Sequence, residues 1–519
     1  MMTRRNFLAA TMIAAVALQV VSVAAEPQSP AWNQFRGPNG SGVALDCRPP
    51  VNLDAAKATW KIDVPPGHSS PVLSRELVFL TAMDGDRLAT LAFKKSTGEL
   101  AWRKHAPQSP PEKVHRAGSP AASTPCVDGD RVYVYFGAYG LLCYDHQGNE
   151  QWNKPIPTPK SLYGMSSSPI VHGGNLILVI DNDANLPGGR VSQSKIIALN
   201  KTTGELAWET HRPFHRSGWS TPTTWSHEGG TELVVLGNGR LRGYDAATGV
   251  EKWYVNGFSR ETISRPIVGK GRVIASASMI GGVADEQPDP EPFWKAILQF
   301  DANKDNQLER GEMTGHFTFP FRPDLPAGHP GYGLPLPRDK TQRKRRLDGM
   351  FAGIDRDKNG FWSKEEFLGR ISFNRGKPNL LAVRPGGRGD VTESHVAWAL
   401  HRGIPEIPTP VFFQDRVYMI ADGGILSVVD ANDGEMIYRE RLGAGGHYRA
   451  SPIIADDRLY VVSENGVVSV LKTGDEFELL RQHDLGERVA ATPAVDATAV
   501  YLRAEKRLFA FRAEGDQRR

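Results

Sequence analysis

Two stretches of twelve residues carry oxygen-bearing side chains at alternate positions, and they hold the best-defined chemistry in this sequence. The first offers Asp301, Asn303 and Asp305 at positions 1, 3 and 5, the Gln307 carbonyl at 7, Glu309 at 9 and Glu312 at 12. The second offers Asp355, Asp357, Asn359, the Phe361 carbonyl, Ser363 and Glu366 at the same positions. Such a set surrounds a hard cation with about six to eight oxygens, the last carboxylate binding through both of its atoms. The large, adaptable shell of Ca2+ suits this cage better than the strict octahedron of Mg2+. Position 6 must turn through a left-handed conformation, which Gly360 adopts freely and Asn306 tolerates better than most residues. The bland alternative is a pair of acidic surface turns, and the matched spacing of two loops argues against it. Two calcium sites are expected.

Each loop follows a segment with apolar residues at helical spacing. Phe293, Trp294, Ile297, Leu298 and Phe300 precede the first; Leu347, Met350, Phe351 and Ile354 precede the second. The unit, residues 283–378, resembles an EF-hand pair. That resemblance implies a short strand pairing between the loops through position 8, filled by Leu308 and by Trp362, which is bulkier than usual there. The connector, residues 317–337, holds six prolines and is expected to be irregular. Lys340 and Arg343-Lys344-Arg345-Arg346 form a basic run, read as a solvated helix face rather than a site for an anionic partner.

This unit interrupts a repeat. Thr202-Thr203-Gly204-Glu205-Leu206-Ala207-Trp208 is nearly copied by Ser96-Thr97-Gly98-Glu99-Leu100-Ala101-Trp102, and degraded copies end at Trp152, Trp253 and Tyr438. A polar pair before Gly makes a tight hairpin turn, and alternating residues lead from it to a large aromatic. Ser or Thr before Pro marks a second position, at Pro71, Pro125, Pro169, Pro222, Pro410, Pro452 and Pro493, with Arg265-Pro266 a weaker copy. Successive prolines lie 54, 44, 53, 44, 144, 42 and 41 residues apart, and the alternating runs between them read as strands. Four strands in such a period make one blade of a β-propeller. Trp60 precedes the first Pro mark, and the last unit lacks an aromatic strand, so the Trp60 strand completes the last blade. The expected fold is all-β, an eight-bladed propeller of four-stranded blades (seven if Arg265-Pro266 is no mark), with a small helical insertion. The repeat resembles that of the pyrroloquinoline-quinone (PQQ) type propellers over residues 50–280 and 380–512. That family includes quinoprotein alcohol dehydrogenases and an outer-membrane assembly scaffold. Phe35-Arg36-Gly37-Pro38-Asn39-Gly40 and residues 385–392 are similar to an exported bacterial subgroup.

Residues 1–25 read as an export signal: Arg4-Arg5-Asn6-Phe7-Leu8, an apolar run and the small pair Ala24-Ala25, resembling a twin-arginine leader. The protein is then periplasmic or secreted, with no membrane span after signal removal. An irregular lead-in, residues 26–57, packs Trp32 and Phe35 on the body; residues 58–282 and 379–512 form the propeller, and 513–519 a tail. A net charge of +4 gives no reason to expect nucleic acid. Of three cysteines, Cys126 and Cys143 are open to a bridge but fit better as buried apolar residues.

Side chains ahead of the Pro marks reach the central channel: His68, His115, Arg116 and Tyr163; His215, Arg216, Trp219 and Glu261; Glu406, His447, Arg449 and Arg488. Basic groups outnumber the carboxylates, which favours an anionic ligand such as a quinone carboxylate, although such channels are polar by default. Resemblance to the quinoproteins implies a cofactor stacked between a Trp and an adjacent Cys-Cys disulfide, and no two cysteines here are adjacent. Residues 181–185 read as an extended hairpin loop. The function expected is a calcium-binding scaffold for a protein or glycan partner; the alternative is a PQQ-dependent oxidoreductase, supported by no specific residue.

Overall fold

The computed structural model describes residues 32–513 except 109, 162, 183–192, 213–214, 216, 260, 279–290, 321–332 and 371–377. The expected signal and most of the tail lie outside the described residues. Eight four-stranded antiparallel blades form a ring. Blade 3, built on the motif turn, is representative: Ile170–His172, Asn175–Ile180, Lys195–Asn200 and Leu206–His211, paired in that order. Blade faces pack on both neighbours, so the second strand is buried along residues 176–180 and reads as one apolar run. The outermost strand, Leu206–His211, is exposed or half-buried along its whole length. In blade 8 the outer strand is Trp60–Asp63, paired with Arg507–Arg512 from the other end of the chain. Arg265-Pro266 opens blade 5, which settles the count at eight. That blade runs Ile267–Gly269, Arg272–Ala277, Asn379–Val383 and Val396–Leu400, with the insertion between its second and third strands.

The repeat residues are the joints between blades. The N–H of Ser70 donates to Thr124 Oγ1, Thr124 to Ser168 Oγ, and Ser168 to Thr221 Oγ1, each at 3.0 Å. The series resumes from Arg265 through Thr409, Ser451 and Thr492 back to Ser70 at 2.9–3.0 Å. Ser or Thr is needed because its hydroxyl accepts the neighbouring blade's N–H in a buried ring. Only Arg265 has no hydroxyl to offer. Each turn glycine is in the left-handed region, Gly204 at φ 74°, and a Cβ on it would stand 2.8 Å from the Trp152 ring of the preceding blade. The Trp152 indole in turn donates to the Lys201 carbonyl at 3.1 Å. Blade 5 lacks the turn, and residues 385–392 replace it: Gly389–Asp390 pairs in parallel with Trp253 and Tyr254 of blade 4.

The lead-in is more ordered than its composition suggests. Trp32 is wholly buried, and its carbonyl accepts the Leu73 N–H of blade 1. Asn39 bonds Thr224 of blade 4, and Val43–Ala44 pairs in parallel with Ile454 and Ala455 of blade 7. At the centre the buried Arg36 guanidinium donates to the Thr409 and Pro410 carbonyls, both at 2.8 Å. Arg265 donates to the Phe35 carbonyl at 2.9 Å and to Thr223 Oγ1 at 2.8 Å. The segment thus crosses the ring and closes one end of the channel, and the irregular Pro mark is the residue that holds it.

Cys126 and Cys143 are free and buried. Cys126 lies opposite Tyr133, which lies opposite Cys143 on the next strand. Two strand spacings, about 9–10 Å, exceed the reach of a disulfide.

Candidate functional site

The insertion has its own apolar centre. Helix α1, Glu291–Ile297, buries Phe293, Trp294 and Ile297, and a 3-10 turn, Leu298–Phe300, carries it into the first acidic loop. Helix α2, Lys340–Ile354, starts at Asp339, whose carboxylate accepts the Gln342 N–H at 2.8 Å, and ends in the second loop. Helix α3, Lys364–Arg370, follows that loop. Leu308 and Trp362 face each other in a two-residue antiparallel ladder. Trp362 does not obstruct it. The ring is wholly buried, stacks on Phe351 at 5.0 Å, and donates to the Phe351 carbonyl at 3.1 Å. The ends of the connector are also regular, Thr318–Pro320 pairing with Gly333–Pro335. The basic run on α2 is mostly exposed, as expected of a solvated face.

Both loops wrap backbone N–H groups around their own carboxylates. Asp301 accepts from Lys304 (2.7 Å) and Asn306 (3.0 Å), Asn303 from Asp305 (2.9 Å), and Asp305 from Gln307 (2.8 Å). Glu312 reaches back to Ala302 (3.0 Å) and across to Glu309 (2.9 Å). In the second loop Asp355 accepts from Gly360 (3.1 Å), Asp357 from Asn359 (3.1 Å) and Asn359 from Phe361 (2.9 Å). Glu366 accepts from Arg356 (2.8 Å) and Ser363 (3.1 Å), and the Ser363 N–H leads the contacts that hold its carboxyl below the usual range. Position 6 is left-handed in both, Asn306 at φ 61° and Gly360 at φ 91°. Among the described residues, Asp355, Asp357 and Glu366 bring ligand oxygens within 4.8 Å of one another. An all-oxygen donor set of this kind suits a hard divalent cation.

The second candidate is a funnel of ≈ 330 Å3 at the open end of the channel, with Phe35 of the lead-in in its lining. Of the residues expected there, His68, His115, Tyr163 and Trp219 line it on one side of the sequence, Glu406, His447 and Arg449 on the other. Arg116, Glu261 and Arg488 are not in the lining, His215 is buried elsewhere, and Arg216 lies outside the described residues. Sequence reasoning missed Asp422 and Glu464, which stand in turns between second and third strands. Those turns open at the same end as the Pro marks, a topological signal present once strands are assigned. Asp422 pairs with His447 at 2.6 Å, and Glu464 takes both Arg449 (2.7 Å) and Arg488 (2.6 Å). The basic excess is therefore neutralised in place, which removes the basis for expecting an anionic ligand. His447 titrates above the ordinary range through its bond to Asp422. His68 is held at about 4, first by burial and then by Arg488, so it is neutral at physiological pH. Glu406 is raised by burial and then by Asp422.

Asp181 opens the connection between the antiparallel second and third strands of blade 3, in keeping with the hairpin reading. It is buried and makes a two-point pair with Arg212 at 2.8 and 2.9 Å, and residues 183–185 lie outside the described residues. The insertion leaves blade 5 at Ala277 and returns at Asn379, in the position that carries Asp422 in blade 6. Its roots therefore lie at the funnel end of the ring.

A family model described as outer membrane protein assembly factor BamB, built on the PQQ-type repeat, matches residues 51–193, 192–294 and 381–519. The chain belongs to this family. Its insertion falls largely outside the matched residues. No curated protein matches the chain. Among solved structures, BamB from Moraxella catarrhalis is similar with a TM-score of 0.51 at 10% identity, over 88% of this chain and 99% of that one. A europium-containing methanol dehydrogenase gives 0.50 at 8% identity, over 93% and 98%. The computationally designed Ika8 protein gives 0.50 at 11%, over 91% and 99%. Likeness at these identities is one of fold, shared by an assembly factor, a methanol dehydrogenase and a designed protein. Among the described residues no helix is long and apolar enough to cross a membrane.

Proposed function

We propose that this chain is an exported, calcium-binding propeller that serves as an interaction scaffold for a protein or glycan partner. The observation that carries the calcium reading is the shared build of the two acidic loops. Each has a left-handed residue at position 6 and a glutamate at position 12 that closes back on the loop's first residues. Asp301, Asn303, Asp305, Gln307, Glu309 and Glu312 would hold one ion; Asp355, Asp357, Asn359, Phe361, Ser363 and Glu366 would hold the other. Bound calcium supplies a fixed charge that ties helix ends and loop into one unit. Export rests on the leader-like residues 1–25, and the scaffold role on the family. Titration calorimetry with Ca2+ should give two binding events, each abolished by Glu312→Gln or Glu366→Gln in its own loop. Heats unchanged in both variants would remove the reading.

A quinone cofactor fits the funnel poorly. Its cations are engaged by Glu464 and Asp422, and Cys47, Cys126 and Cys143 are separate, free residues. The oxidoreductase alternative retains only likeness of fold. Reconstitution with PQQ and dye reduction with alcohols or sugars tests it; turnover would replace the scaffold reading.

A further inference from the structure

We propose that the funnel is a binding site for a neutral saccharide, about one or two sugar rings in size. The proposal deepens the scaffold reading by naming the partner's chemistry, and it does not depend on calcium.

Three features of the cavity converge on this class. One wall is a chain of aromatic rings: His115 meets Tyr163 edge-on at 5.3 Å, and Tyr163 meets Trp219 edge-on at 5.3 Å. Trp219, buried and fixed by its indole N–H on the Gly164 carbonyl at 2.9 Å, buttresses Tyr163, whose half-buried ring gives the C–H face of a sugar a rigid apolar surface. The floor is rich in hydroxyls. The seven Ser and Thr residues of the inter-blade ring line the cavity, and each hydroxyl accepts one backbone N–H. A hydroxyl that accepts one bond still has its own hydrogen to donate. The far wall carries Glu406, an acceptor exposed to the cavity, and the His447–Asp422 pair. His68, neutral and with one nitrogen to donate and one to accept, adds a group matched to an alcohol.

Charge decides between ligand classes. An anion would meet Glu406 and Asp422, with Arg449 and His447 already paired to Glu464 and Asp422. A cation would approach a floor backed, outside the lining, by the buried guanidiniums of Arg36, Arg265 and Arg503, which are solvated by carbonyls and hydroxyls rather than neutralised by carboxylates. A neutral, hydroxyl-rich molecule with one apolar face avoids both costs. A cavity of ≈ 330 Å3 sits at the small end of ligand pockets and excludes a folded partner domain.

The test is an array of neutral mono- and disaccharides spanning hexoses, pentoses and deoxyhexoses in both anomers, with uronic acids and amino sugars as charged counterparts. Hits are quantified by calorimetry and saturation-transfer NMR on the whole chain. The expected result is binding of at least one neutral sugar, weakened roughly tenfold or more by Tyr163→Ala, as loss of one stacking surface implies, and largely kept by Tyr163→Phe. Glu406→Ala, at an exposed position that does not threaten folding, should weaken the same hit severalfold. Binding of no neutral sugar, preference for the charged counterparts, or wild-type affinity in both alanine variants would overturn the proposal. Absence of sugar binding would leave the calcium titration intact. Oxidation of a bound sugar in the presence of PQQ would instead defeat the scaffold reading and leave the saccharide site standing.

Discussion

Glu112 shows how much one side chain can report. Both carboxylate oxygens are buried without a hydrogen-bond partner beside Gly137 and Gly164, and burial raises the group to about 7. The folded state therefore holds a proton that the unfolded chain, near 4.5, releases. Stability contributed by the neutral form is present at low pH and is lost as pH rises through 7. Glu112→Gln should leave Tm unchanged at pH 4 and raise stability by roughly 1–3 kcal/mol at pH 8. Thermal melts across that range check it; a variant no more stable than wild type at pH 8 would refute the assignment. Two repeat residues make sharper structural tests. Thr124→Val keeps shape but strands the Ser70 N–H inside the ring, and should cost about 1–3 kcal/mol. Gly204→Ala meets both an unfavourable φ and the Trp152 ring, and should cost at least about 2 kcal/mol by denaturant unfolding.

At the scale of elements, the sequence carried strands, blades and the helical insertion because each has a period. Glycine before an aromatic, and Ser or Thr before Pro, survive as patterns since every blade needs the same joint. What it hid were contacts without a period. Arg265 looked like a damaged mark, yet it is the anchor of the lead-in through the Phe35 carbonyl. Trp362 looked too large, yet it forms the centre of the insertion against Phe351. Asp422 and Glu464 sit in turns that the Pro marks do not flag, so the charge balance of the funnel was unreadable before the blades were placed. Among the described residues, the insertion's apolar cluster is drawn only from its own side chains, Phe293 to Phe367. Trp362→Ala should therefore cost about 3–5 kcal/mol of local stability and weaken calcium binding, with the propeller's melting unaffected. Loss of the propeller transition as well would contradict that independence.

The whole molecule joins two construction principles. A ring of blades is closed by a strand from the opposite chain end, which supplies the outer strand of the last blade. Onto the funnel end of blade 5 is grafted a unit whose ordering is expected to depend on a cation. Differential scanning calorimetry should resolve two transitions, with only the insertion's moving upward as calcium is added. A single transition insensitive to calcium would mean that the graft adds shape and no switch. The most direct measurement is equilibrium dialysis against about 1 mM calcium, the weak limit for extracellular sites of this kind. Two ions per chain are expected, and none on the Glu312→Gln/Glu366→Gln double variant. No bound ion on the native chain, or the same stoichiometry in both proteins, would contradict it.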